Sequence, residues 1–156
     1  MPATPQVSVL LPARDAADTL GEALGSLRAQ TLTDWECVLI DDGSTDGTGE
    51  LAEDCARRDA RFHVVQRSAP AGIVAALNQA AALARAPWLA RQDADDRSHP
   101  ERLARSVAAI RRDARLGAVA CGVELFPPEM ITPGMQAYVA WLNGLLSPVH
   151  IEREIW

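Results

Sequence analysis

The sequence predicts an α/β fold built on an open, mainly parallel and twisted sheet with helices on both faces. Three observations predict it. Short apolar, β-branched runs alternate with helical patterns from residue 7 to residue 123, turn-forming Gly, Asp and Ser follow the runs, and acidic residues recur just past the run ends. Repeated β-α-β units imply parallel strands covered by helices on either side. The 156 residues match one ordinary domain, and a 48% hydrophobic content is enough for a buried core.

Residues 7–11 are an apolar run that stops at Pro12, the pattern of a buried strand, and Asp15 stands just beyond it. Thr19 and Glu22 have capping-box spacing, and Leu20, Ala23, Leu24 and Leu27 share one face of a helix running to about Gln30. Residues 36–40 form a second strand, residues 41–47 a turn-rich loop, and Leu51, Ala52 and Cys55 mark the inner face of a second helix. A strand at 62–65, an Ala-rich helix at 73–84, a buried-looking strand at 88–92, a helix at 100–113 and a fifth strand at 116–123 complete the alternation. Beyond Phe126, three prolines precede a helix over residues 134–146, and residues 147–156 lack a closing cap. The expected division is an α/β domain over residues 1–125 and the start of an acceptor-side region over 126–156, read as truncated.

Composition narrows the function. With 15 basic against 21 acidic residues the net charge is −6, which argues against a surface that coats nucleic acid. All the basic residues are Arg, so Schiff-base chemistry and a phosphate-loop lysine are excluded. Cys37, Cys55 and Cys121 lack the paired spacing of a zinc site and read as core residues. The start of the chain has no basic stretch leading into an apolar run, and no segment approaches the about 20 apolar residues of a membrane span. The chain therefore reads as cytoplasmic, with any place at the inner face of the membrane left to regions outside it.

The acidic residues carry the functional signal. Asp15 follows the first strand, Asp41 and Asp42 the second, and Asp93, Asp95 and Asp96 the fourth. Ligands of open α/β sheets bind at that carboxyl edge. Asp93, Asp95 and Asp96 offer hard oxygen ligands of the kind Mg²⁺ or Mn²⁺ prefers, with diphosphate oxygens completing the coordination. Asp42 can accept from a base or ribose, although Asp-Gly-Ser after a strand is also an ordinary turn with a helix cap from Ser44 or Asp46. The spacing of Asp42, Ser44, Asp46, Gly47 and Glu53 imitates a calcium loop, but the apolar residues before it read as a strand where such a loop needs a helix. His63 and His150 have no partner at metal-ligand spacing, and His99 reads as an exposed loop residue. Among Arg67, Arg91 and Arg97, Arg67 is the best candidate for a diphosphate contact, because its loop belongs to the same edge.

These stretches together resemble the family 2 glycosyltransferases, whose nucleotide-binding fold is the Rossmann-like GT-A fold. The matching residues are Val7 to Pro12, Leu27 to Thr31, Leu39 to Thr48, Gly72 with Ala76-Leu77-Asn78, Ala90 to Asp96, and Pro100 to Leu103. The resemblance implies that Asp42 hydrogen-bonds a nucleotide base, that Asp93 lies at the ribose or the outer shell of a metal, and that Asp95 ligates Mn²⁺ or Mg²⁺ on the diphosphate. Pro12, Asp15, Asp42, Arg67 and Asp93 are the donor-binding candidates, and Asp95 with Asp93 the metal candidates. Where family members often carry an aromatic-Asn pair, this chain has Arg14-Asp15. The implied reaction is inverting transfer from a UDP, GDP or dTDP sugar to an unidentified sugar, lipid or polysaccharide acceptor. The catalytic base would lie beyond Trp156, so the chain is expected to bind donor weakly and to turn over poorly or not at all. The rival readings are a sugar nucleotidyltransferase, for which residues 12–15 are a poor phosphate loop, and a non-catalytic binding module.

Overall fold

A computed structural model describes residues 4–155; residues 1–3 and 156 lie outside it. The chain divides into two compact units, the first ending at Arg112 and the second beginning at Asp113. In the first unit β1 (Val7–Ala13), α1 (Ala17–Arg28), β2 (Trp35–Asp41), α2 (Thr48–Arg58), β3 (Phe62–Gln66), α3 (Ile73–Leu83), β4 (Trp88–Arg91) and α4 (Arg102–Arg112) follow in order. All strand pairings are parallel and the sheet order is β3-β2-β1-β4.

The period-2 alternation of the strands builds a two-sided core. Val7, Val9, Leu11 and Ala13 of β1 and Trp35, Cys37 and Leu39 of β2 pack with Leu20, Leu24 and Leu27 of α1, Ala52 and Cys55 of α2, and Leu103 and Val107 of α4. The intervening Leu10, Val38 and Ile40 meet Ala76 and Ala80 of α3. Alanines let α3 lie close to the sheet, as its Ala-rich sequence foretold. Trp35 is fixed by Phe62, edge to face at 5.4 Å between centroids, and by the Arg61 guanidinium 4.1 Å over its ring.

The amino end of the sheet is closed by ions. Glu36, 2% exposed, accepts the Ser8 hydroxyl at 2.6 Å, the Arg85 backbone N–H at 2.7 Å and the Arg85 Nε at 2.6 Å. His63 Nε2 lies 3.4 Å from Glu36 and 3.0 Å from Arg85, so the histidine without a partner in sequence acquires two. Burial raises the Glu36 pKa, yet the Ser8 and Arg85 hydrogen bonds outweigh it and hold the carboxyl below its ordinary value.

Several expectations require correction. Residues 116–123 form no strand: Val119 and Val123 are exposed, and the Val123 backbone is matched by the Asn143 side-chain amide instead of a strand, at 2.8 Å in both directions. Cys121, expected in the core with that strand, is consequently exposed, while Cys37 and Cys55 are buried as expected. The strand at 88–92 is an edge, paired among the described residues with β1 alone, so Trp88 is half-buried and Leu89 exposed. On α2 the buried stripe is Thr48, Ala52 and Cys55, which leaves Leu51 on the flank. The Thr19–Glu22 capping box does not form: α1 starts at Ala17, and the N–H groups of Ala16 and Ala17 are taken by Thr48 at the start of α2 and by Asp46 in the loop before it.

In the second unit a 3₁₀ turn (Pro128–Met130) precedes α5 (Pro133–Asn143), capped by the Thr132 hydroxyl accepting the Met135 N–H at 3.3 Å. The residues that looked unfinished form α6 (Pro148–Ile155), which the Trp141 indole meets through Glu154 at 3.0 Å. Among the described residues no helix is long and apolar enough to cross a membrane.

Candidate functional site

Strand order decides where the acidic loops meet. Because β1 lies between β2 and β4, the loop after β1 is flanked by the loops carrying Asp42 and Asp93 to Asp96. Between β1 and β4 the order changes direction, and such a switch point opens a crevice at the carboxyl ends of the strands. Two adjoining hollows occupy this edge. One, of about 190 Å³, is lined by Ala13, Asp42, Gly72 and Ala76, and the other, of about 400 Å³, by Asp15, Thr19, Asp93 and Asp95. Pro12, Arg14 and Ile73 line both, so Asp42 and Asp95 stand along one rim.

Asp42 is held rigidly. Only 3% exposed, its carboxylate accepts Arg67 at 2.8 Å, the Ala71 N–H at 3.0 Å and the Gly72 N–H at 2.8 Å. The Ala71 N–H first, then Arg67 and the Gly72 N–H, hold its pKa below the ordinary carboxylate value against the opposing effect of burial. The Ala71 N–H is shared with the second oxygen at 3.2 Å, so each oxygen receives two contacts and the about four acceptor sites of the carboxylate are all engaged. Arg67 lines neither hollow; its Nε donates to Gln79 at 2.9 Å, and the guanidinium stands behind Asp42 as a support. Gly43 makes this closeness possible. At φ +74° it lies under the 69–70 backbone, and a Cβ there would come within 2.8 Å of Pro70 N.

The loops after β1 and β2 are stapled together. Asp15, at φ 45°, donates its N–H to the Ser44 hydroxyl and accepts the Thr45 N–H, both at 3.0 Å. Asp46 accepts the Ala17 N–H at 2.9 Å and the Thr48 N–H at 3.0 Å, which joins the starts of α1 and α2. Asp41, inside β2 and buried, is engaged by the Ser44 N–H and hydroxyl.

On the acidic loop the carboxylates differ. Asp93 is gripped by Arg91 through two bonds of 2.9 Å. Asp95 is exposed, lines the larger hollow, and among the described residues accepts no hydrogen bond and joins no ion pair. The pKa of Asp96 is raised, by loss of water first and then by the charges of Asp95 and Asp93. Among the described residues no three acidic, His or Cys side chains are gathered closely enough to hold a metal by themselves. The donor set is therefore one open carboxylate with a second beside it. That fits a hard cation sharing its coordination with a phosphorylated ligand. His99 is an exposed loop residue whose Nδ1 accepts the Glu101 N–H at 3.2 Å.

The decisive comparison is with family models, where residues 8–136 match the model described as glycosyl transferase family 2. The chain belongs to that family. The family 2 match runs through both hollows and both acidic loops. Among curated proteins the chain is 34% identical to the putative glycosyltransferase EpsE of Bacillus subtilis over 85% of its own length and 52% of that protein's. Among solved structures it resembles Staphylococcus aureus TarS 1–349 in complex with UDP-GlcNAc, with a TM-score of 0.65 and 29% identity over 69% of this chain and 31% of that one. It also resembles the mannosyltransferase PcManGT of Pyrobaculum calidifontis in complex with GDP-Man and Mn²⁺, with a TM-score of 0.63 and 26% identity over 70% of this chain and 33% of that one. The fold is the expected GT-A type. The chain spans from about a quarter to about half of the length of the curated relatives it matches, 26% in one case and 52% in another.

Sequence reasoning located the strand-end acids and overlooked their supports. Arg14 lines both hollows, and Gln92, Ser98 and Arg102 lie bonded together beneath the acidic loop. A polar Gln directly after an apolar strand was the available signal.

Proposed function

We propose that this chain binds the nucleoside diphosphate of a sugar donor in the paired hollows and forms the donor half of a sugar transfer. The observation that carries the reading is the shared rim, on which a rigid, buried Asp42 and an Asp95 without a hydrogen-bond partner among the described residues are joined by Pro12, Arg14 and Ile73. The smaller, largely apolar hollow suits a base, with Asp42 accepting one N–H in place of the longer, 3.2 Å arm of the shared Ala71 contact and Arg67 keeping that carboxylate ionised and aimed. The larger suits ribose and diphosphate, where Asp15 lines the wall and Arg14 supplies positive charge in a chain without lysine.

Asp95 is assigned as the ligand of Mn²⁺ or Mg²⁺, and Asp93 as an outer carboxylate released from or shared with Arg91. When bound, such an ion neutralises charge on the departing diphosphate. Protein groups do the rest: Asp42 and its loop orient the donor, and the close β1 and β2 loops hold the pocket open without reorganising. An acceptor hydroxyl that gives its proton to a carboxylate base attacks the anomeric carbon opposite the diphosphate. The bond to the departing nucleoside diphosphate breaks and the centre inverts, and the solved neighbours' UDP-GlcNAc and GDP-Man complexes support a nucleotide-sugar donor.

Calorimetric titration of UDP, GDP and dTDP with and without Mn²⁺ tests the reading. One nucleotide should bind, and more tightly with the ion. Three nucleotides with no measurable heat under either condition, or binding indifferent to Mn²⁺, would refute it.

A further inference from the structure

Gln92 is 1% exposed and immediately precedes the acidic loop. Its amide is saturated. Oε1 accepts the Ser98 hydroxyl at 2.5 Å and the Arg102 guanidinium at 3.0 Å, while Nε2 donates to the Asp96 carbonyl at 2.9 Å and the Ser26 hydroxyl at 3.3 Å. Arg102 can only donate and the Asp96 carbonyl only accept, so a single orientation of the amide satisfies all four bonds. A side chain beginning at residue 92 thus closes on the backbone at residue 96, spanning the turn that carries Asp93 and Asp95.

The turn is tied on both flanks. Arg102 also donates to the Arg91 carbonyl at 2.8 Å, before the acids, and the Ser98 N–H donates to the Ser26 hydroxyl at 3.0 Å, after them. Gln30, 5% exposed, links α1 to the same segment through the His99 carbonyl at 2.8 Å and the Leu103 N–H at 3.0 Å. Buried polar networks of this kind specify one geometry when every member is matched.

We propose that Gln92 is a positioning residue for the divalent cation, its amide fixing the curvature of residues 93–96 so that the Asp93 and Asp95 carboxylates are presented to the larger hollow. The inference rests on the donor reading above. Glutamate at this position keeps the size and the Oε1 bonds but turns an acceptor toward the Asp96 carbonyl, where a donor is required. The turn then opens without any change to a metal-ligating residue.

The test is Mn²⁺ affinity, read from the free-Mn²⁺ electron paramagnetic resonance signal of the full chain with saturating UDP or GDP, whichever binds. Gln92→Glu should weaken Mn²⁺ binding about 10–100-fold, the usual effect of losing an outer-shell partner, and leave metal-free nucleotide affinity unchanged. Glu36→Gln, at the far end of the sheet, should lower stability and leave Mn²⁺ affinity alone. Ser26→Ala removes one arm of the network, should weaken Mn²⁺ in the same direction by less, and decides the matter if Gln92→Glu does not fold. Wild-type Mn²⁺ affinity in a folded Gln92→Glu, or in Ser26→Ala where that substitution must decide, overturns the proposal. Equal weakening in Glu36→Gln also overturns it, because the loss would then follow stability. Failure of the donor reading is distinguishable, since the unsubstituted chain would itself bind nucleotide without regard to Mn²⁺.

Discussion

At the amino end of the sheet Ser8, Glu36, His63 and Arg85 satisfy one another, whereas at the carboxyl end Asp42 is held by protein groups and Asp95, among the described residues, accepts no hydrogen bond and joins no ion pair. Both ends pair a buried carboxylate, Glu36 in β2 or Asp42 just past it, with an arginine. The first is a closed network whose acceptors are occupied, and the second is a rim on which Asp95 leaves its acceptors facing the larger hollow. Acidic residues alone would not separate the two ends. What separates them is whether protein groups use up the hydrogen-bonding capacity that the sequence provides.

That contrast can be broken by substitution. Glu36→Ala should have the largest effect on stability, about 3 kcal/mol by urea unfolding. This is the low end for breaking a buried pair, because Arg85 is half exposed and can return to water. Donor binding should survive it. Gly43→Ala should cost about 2 kcal/mol, from its positive φ and the contact with Pro70 N. Unlike Glu36→Ala, it should also weaken nucleotide binding, since the 69–72 backbone that grips Asp42 must move.

A pH series sharpens the comparison. The Glu36 pKa is lower folded than unfolded, so its contribution is complete above the unfolded value of about 4.3 and is lost as pH falls through the depressed folded value. Below that window the stability gap between the unsubstituted chain and Glu36→Gln should close; a gap that widened as pH fell would reverse the sign assigned here. The smallest effect belongs to Asp95→Ala, which should change stability by no more than about 0.5 kcal/mol, as for a surface site without partners.

The first unit was largely legible in the sequence, and for physical reasons. Leu20, Ala23, Leu24 and Leu27 recur at helical spacing and are buried together, and the alternation of β1 reports both faces of the sheet. Strand-end positions placed Asp15, Asp42, Asp93 and Asp95 on one edge, because parallel topology forces them there. Pairing was not legible. Residues 116–123 have the apolar content of a strand, but content does not supply a neighbour, and Asn143 matches the Val123 backbone instead. Nor could spacing show that the start of α1 is capped by Asp46 and Thr48, or that Gln92 reaches Ser26, since those contacts exist only once the sheet has assembled.

The most direct measurement is a double dissociation of the two ends, with Mn²⁺-dependent nucleotide binding and urea stability determined on Asp95→Ala and Glu36→Ala side by side. Asp95→Ala should lose the Mn²⁺ dependence at unchanged stability, and Glu36→Ala should lose stability at unchanged Mn²⁺ dependence. Intact Mn²⁺-dependent binding in a folded Asp95→Ala would contradict the account.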